Sequence, residues 1–167
     1  MAHWHEIEQA APEFAAAVRA RFDAYLHKTL ATLRRDGSPR LSGTEATFFD
    51  GELWLGMMPG SMKARDLQRD PRLALHSVTV DVSMAAGDAK IAGRAVAVDD
   101  PGRLLRLSHD PPDSQITEAQ REERAAQAHL FRIDIIEVVL TRIGAPADHL
   151  VIESWHPGRG IERLERK

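Results

Sequence analysis

The sequence contains no cysteine, which excludes a disulfide scaffold, a Cys-ligated zinc or iron–sulfur centre and a cysteine nucleophile. It also lacks surplus positive charge: 22 basic residues stand against 25 acidic ones, for a formal net charge of -3. Sequence-independent phosphate binding draws on surplus cations, so no nucleic-acid partner is expected. No apolar run approaches the ~20 residues that span a bilayer, so no membrane partner is expected either. Met1 to Glu13 has no basic stretch followed by an apolar core, the form of a secretory leader. These absences leave the expectation of a cytoplasmic globular protein. Lysine is scarce, with only Lys28, Lys63, Lys90 and Lys167. That bias, with abundant alanine, reads as base composition rather than chemistry.

What is present fits a single domain over residues 1–167, long enough to bury a core. No repeat, low-complexity tract or linker divides it. Phe14, Val18, Phe22 and Tyr25 recur at helical spacing after Pro12, which predicts a helix from about Pro12 to His27. The period then changes to that of strands. Leu30 to Leu33, Arg40 to Phe49 and Glu52 to Met58 are separated by the turn signals Asp36-Gly37 and Asp50-Gly51. They predict a three-stranded meander, with Leu53, Leu55 and Met57 on one face of the third strand and Trp54 on the other.

Pro59-Gly60-Ser61 ends that sheet and opens a short helix, Met62 to Arg69. Strands are expected over Arg72 to Val80 and Ala89 to Val98, and a helix after Pro101. Ser108 to Gln115 reads as a loop. Thr117 and Gln120 have capping-box spacing, and the helix they open, to about Ala128, is polar nearly all round, as a solvated surface helix would be. Leu130 to Ile143 reads as a long strand whose alternation changes phase at Ile135-Ile136, as a β-bulge would make it. Leu150 to Trp155 is the last expected strand, followed by a charged tail.

The segment Gly60-Ser61-Met62-Lys63-Ala64-Arg65 is where chemistry concentrates. A glycine turn leads from a strand into a helix, whose first N–H groups and positive dipole end attract anions. Ser61 stands at the N-cap, and Lys63 and Arg65 follow in the first turns. Two cations there oppose the helix dipole unless an anion compensates them, a conflict of the kind that marks sites. The alternative is a serine cap beside solvated charges.

Taken in order, Thr32-Leu33-Arg34-Arg35-Asp36-Gly37-Ser38-Pro39-Arg40, Asp50-Gly51-Glu52-Leu53-Trp54-Leu55 and Ser61-Met62-Lys63-Ala64-Arg65-Asp66-Leu67 resemble the pyridoxamine 5'-phosphate oxidase-like split-barrel flavoproteins. The resemblance is best from Thr29 to His76. It implies a mainly β fold with flanking helices (α+β), an antiparallel six- to seven-stranded split β-barrel. It implies FMN, or the deazaflavin F420, with Ser61 and Lys63 as phosphate ligands and Arg65 as a third. Ser42, Gly43, Thr44, Gly56 and Met57 would lie along the cofactor ring. Glycines inside strands mark either close approach of a ligand or a barrel bend. The resemblance further implies a homodimer with the cofactor at the subunit interface, where Trp155, His156 and Arg159 are candidates to reach the partner's site. The arginine–histidine pair with which true pyridoxamine phosphate oxidases hold substrate is missing, and Met62 replaces a second cation. A small relative acting on an unidentified small-molecule substrate is expected, with no catalytic residue assignable.

Other signals fall away. Ser108-His109-Asp110 are adjacent and so lack triad geometry. His3 and His5 lack a third ligand, so no metal is expected and the segment reads as a mobile end. His76 is expected to be a hydrogen-bonded barrel histidine. The leading expectation is an FMN-dependent oxidoreductase. Its alternatives are an F420-dependent reductase, a non-catalytic flavin- or haem-binding module, and a structural dimer.

Overall fold

The computed structural model describes residues 1–79, 83–108 and 115–167. Most of the Ser108 to Gln115 loop and the end of the strand expected to reach Val80 lie outside the described residues.

Two helices precede the sheet, α1 (Trp4–Ala10) and α2 (Pro12–Asp23). Phe14, Val18 and Phe22 are buried at the expected spacing, but α2 stops at Asp23 and Tyr25 is exposed. The Lys28 ammonium donates to the carbonyls of Tyr25 and Leu26, at 2.5 and 2.9 Å, and ties off the chain as it turns into the sheet. Burial lowers the pKa of Lys28, while Asp23 and Glu45 pull it back up. The segment expected to be a mobile end is docked. Trp4 and Ile7 of α1 are buried, the Trp4 ring lies 4.3 Å from that of Phe48, and His3 Nδ1 lies 2.9 Å from Glu52 Oε2. No group of three metal-ligating side chains occurs among the described residues.

The sheet is built from β1 (His27–Leu33), β2 (Pro39–Glu45), β3 (Thr47–Phe49), β4 (Glu52–Met57), β5 (Arg72–His76), β6 (Asp88–Val98), β7 (His129–Ile143), β8 (Leu150–His156) and β9 (Gly160–Arg166). Helix α3 (Met62–Arg69) follows β4, and α4 (Pro101–Leu107) and α5 (Glu118–Gln127) lie between β6 and β7. Every pairing is antiparallel, in the order β2-β1-β5-β6-β7-β4-β3, with β8 on β7 and β9 on β8. The two ends of that order, β2 and β3, are separated in sequence by Ala46 alone, so about 7 Å of chain joins them. The sheet therefore curls until its edges meet without hydrogen-bonding into a closed cylinder, which is the split barrel.

This closure corrects the expected meander. The strand foreseen over Arg40 to Phe49 breaks at Ala46, which is buried, and its halves pair with different neighbours. That break, and the pairing of the supposed charged tail with β8 as β9, account for nine strands among the described residues where six or seven were expected. The Asp50-Gly51 hairpin forms as expected, both residues taking positive φ (54° and 72°) as a two-residue turn requires.

Strand β7 is the spine. It pairs with β6 along one edge, and along the other with β4 at its start and β8 at its end. Ala92 opposes Glu137 and Gly93 opposes Ile135, so Ile136 is the unpaired residue of the expected bulge. Between the β4 and β8 pairings, Ala2 and Ile135 exchange two backbone hydrogen bonds of 2.8 Å, filling the gap with the N-terminal segment.

Leu53, Leu55 and Met57 join the main core with Trp4, Phe22 and Phe131, while Trp54 points the other way, into a smaller cluster with Leu104, Leu107, Ala125 and Leu130. No helix among the described residues is long and apolar enough to cross a membrane. Trp4→Ala removes a buried ring from the main core and is expected to cost about 3–5 kcal/mol in denaturant unfolding. A loss below about 1 kcal/mol would show that α1 is not docked.

Candidate functional site

Gly60, at φ 71°, takes the left-handed conformation that carries the chain out of β4, and Ser61 occupies the N-cap of α3. The Arg65 N–H donates to the Ser61 carbonyl at 3.1 Å, starting the helix. The Ser61 hydroxyl, expected to cap α3, bonds none of its N–H groups. No acidic residue stands in the first turn to offset the dipole. From that turn the Lys63 ammonium reaches across to donate to the Gly43 carbonyl of β2 at 2.5 Å, leaving two of its protons for another acceptor. Burial lowers the Lys63 pKa, and the Glu45 carboxylate pulls it back up.

Ser61 and Lys63 open onto a cavity of about 800 Å³. That volume lies within the roughly 300–1,000 Å³ typical of small-molecule sites. Gly43 and Thr44 of β2, and Gly56 and Met57 of β4, line it. A Cβ at Gly43 would meet nothing within 4 Å, so its absent side chain is open cavity, whereas at Gly56 it would stand 3.0 Å from Leu104 Cδ1. The first glycine leaves open space on β2 and the second admits α4.

Three other expected residues lie elsewhere. Ser42 lies just outside the lining. Arg65 turns with Met62, whose sulfur is 4.0 Å away, into a second concavity of about 470 Å³ that also holds Arg34, Arg35, Arg40 and Arg69. Trp155 is buried in the main core, its indole N–H without a partner among the described residues. His156 meets Glu137 at 3.0 Å and Arg159 meets Glu162 at 3.8 Å. His76, held by the Ser77 carbonyl, stands 3.7 Å from Asp88 rather than in the cavity.

Sequence reasoning missed the cavity's other wall. The capping box of α5 forms as expected, with Thr117 N–H to Gln120 Oε1 at 3.0 Å and Gln120 N–H to Thr117 Oγ1 at 3.3 Å. Its face of Arg121, Arg124 and Ala125, continued by Ala128, nevertheless covers the cavity beside Leu104, Leu105 and Leu107. The available signal was Ala125 and Ala128 at helical spacing within a charged run.

Helix α3 is positioned by Asp66, whose side chain is 2% exposed. One carboxylate oxygen accepts from Arg40 Nε of β2 at 2.6 Å and Thr32 Oγ1 of β1 at 3.0 Å, and the other from Arg69 at 3.1 Å. Burial raises the Asp66 pKa, but the bonds from Arg40, Arg69 and Thr32 together outweigh it and leave the value below the ordinary 3.8. A depressed value means that the stabilisation is present above the unfolded pKa and lost as pH falls through the folded one. Asp66→Asn is therefore expected to cost about 3 kcal/mol at neutral pH, with the deficit shrinking at acid pH in denaturant titrations. A deficit independent of pH would contradict this assignment.

No curated protein matches the chain. Among solved structures, the conserved hypothetical protein Rv2991 from Mycobacterium tuberculosis is similar at 25% identity and a TM-score of 0.61, over 74% of this chain and 81% of that one. A pyridoxamine 5'-phosphate oxidase-related, FMN binding protein from Nostoc punctiforme PCC 73102 is similar at 13% identity and a TM-score of 0.66, over 94% and 96%. An F420 reductase is similar at 21% identity and a TM-score of 0.51, over 68% and 88%. Residues 14–142 match the pyridoxamine 5'-phosphate oxidase family model, a span that runs from α2 into β7 and includes the whole cavity wall. The chain belongs to the pyridoxamine 5'-phosphate oxidase family.

Proposed function

We propose that the protein is an FMN-binding oxidoreductase that exchanges a hydride with a small-molecule substrate. The observation that carries this reading is the cationic corner of the cavity. There the Ser61 hydroxyl, which bonds no N–H of α3, and the Lys63 ammonium of that helix's first turn line the same cavity, beside a helix start that favours anions. The remaining walls fit a flat ring, since Gly43 leaves open space on β2 and Trp54 and Met57 supply apolar surface on β4. When bound, a flavin-type cofactor supplies the hydride chemistry, and the chain supplies anchoring, orientation and exclusion of water. Ser61 and Lys63 hold the phosphate in this reading, and no side chain is assigned as acid or base.

A second reading, F420 in place of FMN, is favoured by the five-arginine concavity on the other side of α3. Asp36 and Asp66 line it too, but among the described residues no carboxylate is hydrogen-bonded to Arg34, Arg35 or Arg65, and a longer anionic tail would use them. The likeness to an F420 reductase supports it, as the likeness to an FMN binding protein supports the first. A non-catalytic flavin or haem carrier would bind without reduction and reoxidation coupled to an added substrate.

The protein is further proposed to act as a homodimer. Leu41, Met58 and Met62 are 72%, 79% and 52% exposed, and Met58 lines the cavity itself, so a second copy covering them would complete the site. Light scattering is expected to give twice the 18.6 kDa chain mass. A mass of one chain would remove the dimer.

Lys63→Ala is expected to weaken cofactor binding about 10- to 150-fold, the loss of roughly 1.5–3 kcal/mol from one charged contact. Fluorescence titration reads it directly. Unchanged affinity would take Lys63 out of the site and the reading with it.

A further inference from the structure

The cavity has a second cationic pole that the cofactor reading does not use. Positions 121, 124, 125 and 128 follow the i, i+3, i+4, i+7 pattern, so they form one face of α5, and all four line the cavity. A helix covering a cavity ordinarily turns apolar side chains inward. Here the cavity-lining face carries two arginines, both also exposed to solvent, and two alanines, and Ala125 is the only buried residue of α5. The helix dipole accounts for a cation in the last turn, where Arg124 stands. It does not account for both arginines on the cavity-lining face, where two like charges one turn apart repel.

Arg121 has an interaction of its own. Arg124 has no hydrogen-bond or ion-pair partner among the described residues. Among the described residues the one carboxylate in the cavity lining is Glu45, and its charge acts on Lys63 and Lys28. No described residue of the lining therefore answers Arg124. Around this pole the surface is apolar: Leu104, Leu105 and Leu107 come from α4, and Trp54 from β4. Arg103 stacks 4.7 Å from the Trp54 ring and is itself held by Asp100 at 3.3 Å, which fixes the indole against movement. The alanines at 125 and 128 are the smallest side chains able to keep a helix while leaving room beneath it.

We infer that Arg124, assisted by Arg121, receives the anionic group of the substrate, and that the substrate is a small apolar molecule bearing a carboxylate. This inference rests on the oxidoreductase reading, which assigns the other pole, Ser61 and Lys63, to the cofactor. A guanidinium presents a planar fork of donors that matches a carboxylate, and the leucines and Trp54 take the apolar body.

The test uses naphthoate and its neutral counterpart naphthamide, titrated by calorimetry into flavin-loaded and flavin-free protein. Wild type is expected to bind naphthoate about tenfold or more tightly than naphthamide. Arg121→Ala with Arg124→Ala is expected to abolish that preference while leaving flavin affinity unchanged. Arg121→Lys with Arg124→Lys is expected to retain part of it, which guards against a folding defect in the alanine variant. Equal binding of the two probes, or a preference that survives the double alanine variant, would overturn the inference. A preference lost in Lys63→Ala instead would also overturn it, because the probe would then be reading the cofactor pole. If wild type binds no flavin, the oxidoreductase reading fails, and the flavin-free titrations still decide whether Arg124 holds a carboxylate.

Discussion

Asp66 is a carboxylate buried between a helix and two strands, and the geometry of the cavity depends on it. Its bonds to Thr32 and Arg40 fasten α3 to β1 and β2, and its bond to Arg69 closes on the helix's own last turn. Arg69 adds a bond to the Leu33 carbonyl at the end of β1. A buried charge with one partner removed is costly, so the cluster tolerates only one placement of α3. That placement sets Ser61 and Lys63 against Gly43 on one side of the helix, and leaves Met62 and Arg65 on the other. A single helix thus separates an apolar cavity with a cationic corner from an arginine-lined concavity.

The barrel supplies the rest by geometry. Because β2 and β3 are the ends of the sheet order and Ala46 alone joins them, β2 is brought round to face β4 without pairing to it. Unpaired strands that face each other leave space, and the cavity is lined from both: Gly43 and Thr44 on one side, Trp54 and Met57 on the other. Closing that space with hydrogen bonds would leave no room for a ligand. Helices α4 and α5 then form the remaining wall over the Trp54 side of β4, with Leu104 packed against Gly56.

Much of this was legible in local signals. The Asp50-Gly51 turn, the limits of α3, the Thr117–Gln120 capping box and the bulge at Ile136 are each written in a few adjacent residues. So was the placement of Ser61 and Lys63 at the start of α3, since a helix start and its first-turn cation are neighbours in the chain. What was not legible depends on contacts distant in sequence. Trp4 gives no sign of Phe48, and the break at Ala46 follows from barrel closure rather than from any turn residue. Strand β9 is exposed over almost all its length and shows no buried alternation to read. The cavity-lining role of α5 was hidden because its arginines are solvent-exposed, as the sequence suggests, and the cavity they also border is formed by distant elements. Arg65 is two residues from Lys63, which on a helix points it away from its neighbour's cavity and toward the arginine concavity.

The central claim is that the cavity holds a flavin by its phosphate end. Anaerobic titration of cofactor-free protein with FMN, and separately with F420, followed by absorbance and fluorescence, tests it most directly. The account predicts saturable binding of FMN with one equivalent per chain, and saturation by F420 alone would select the second reading of the same site. Binding of neither at micromolar concentration would contradict the claim.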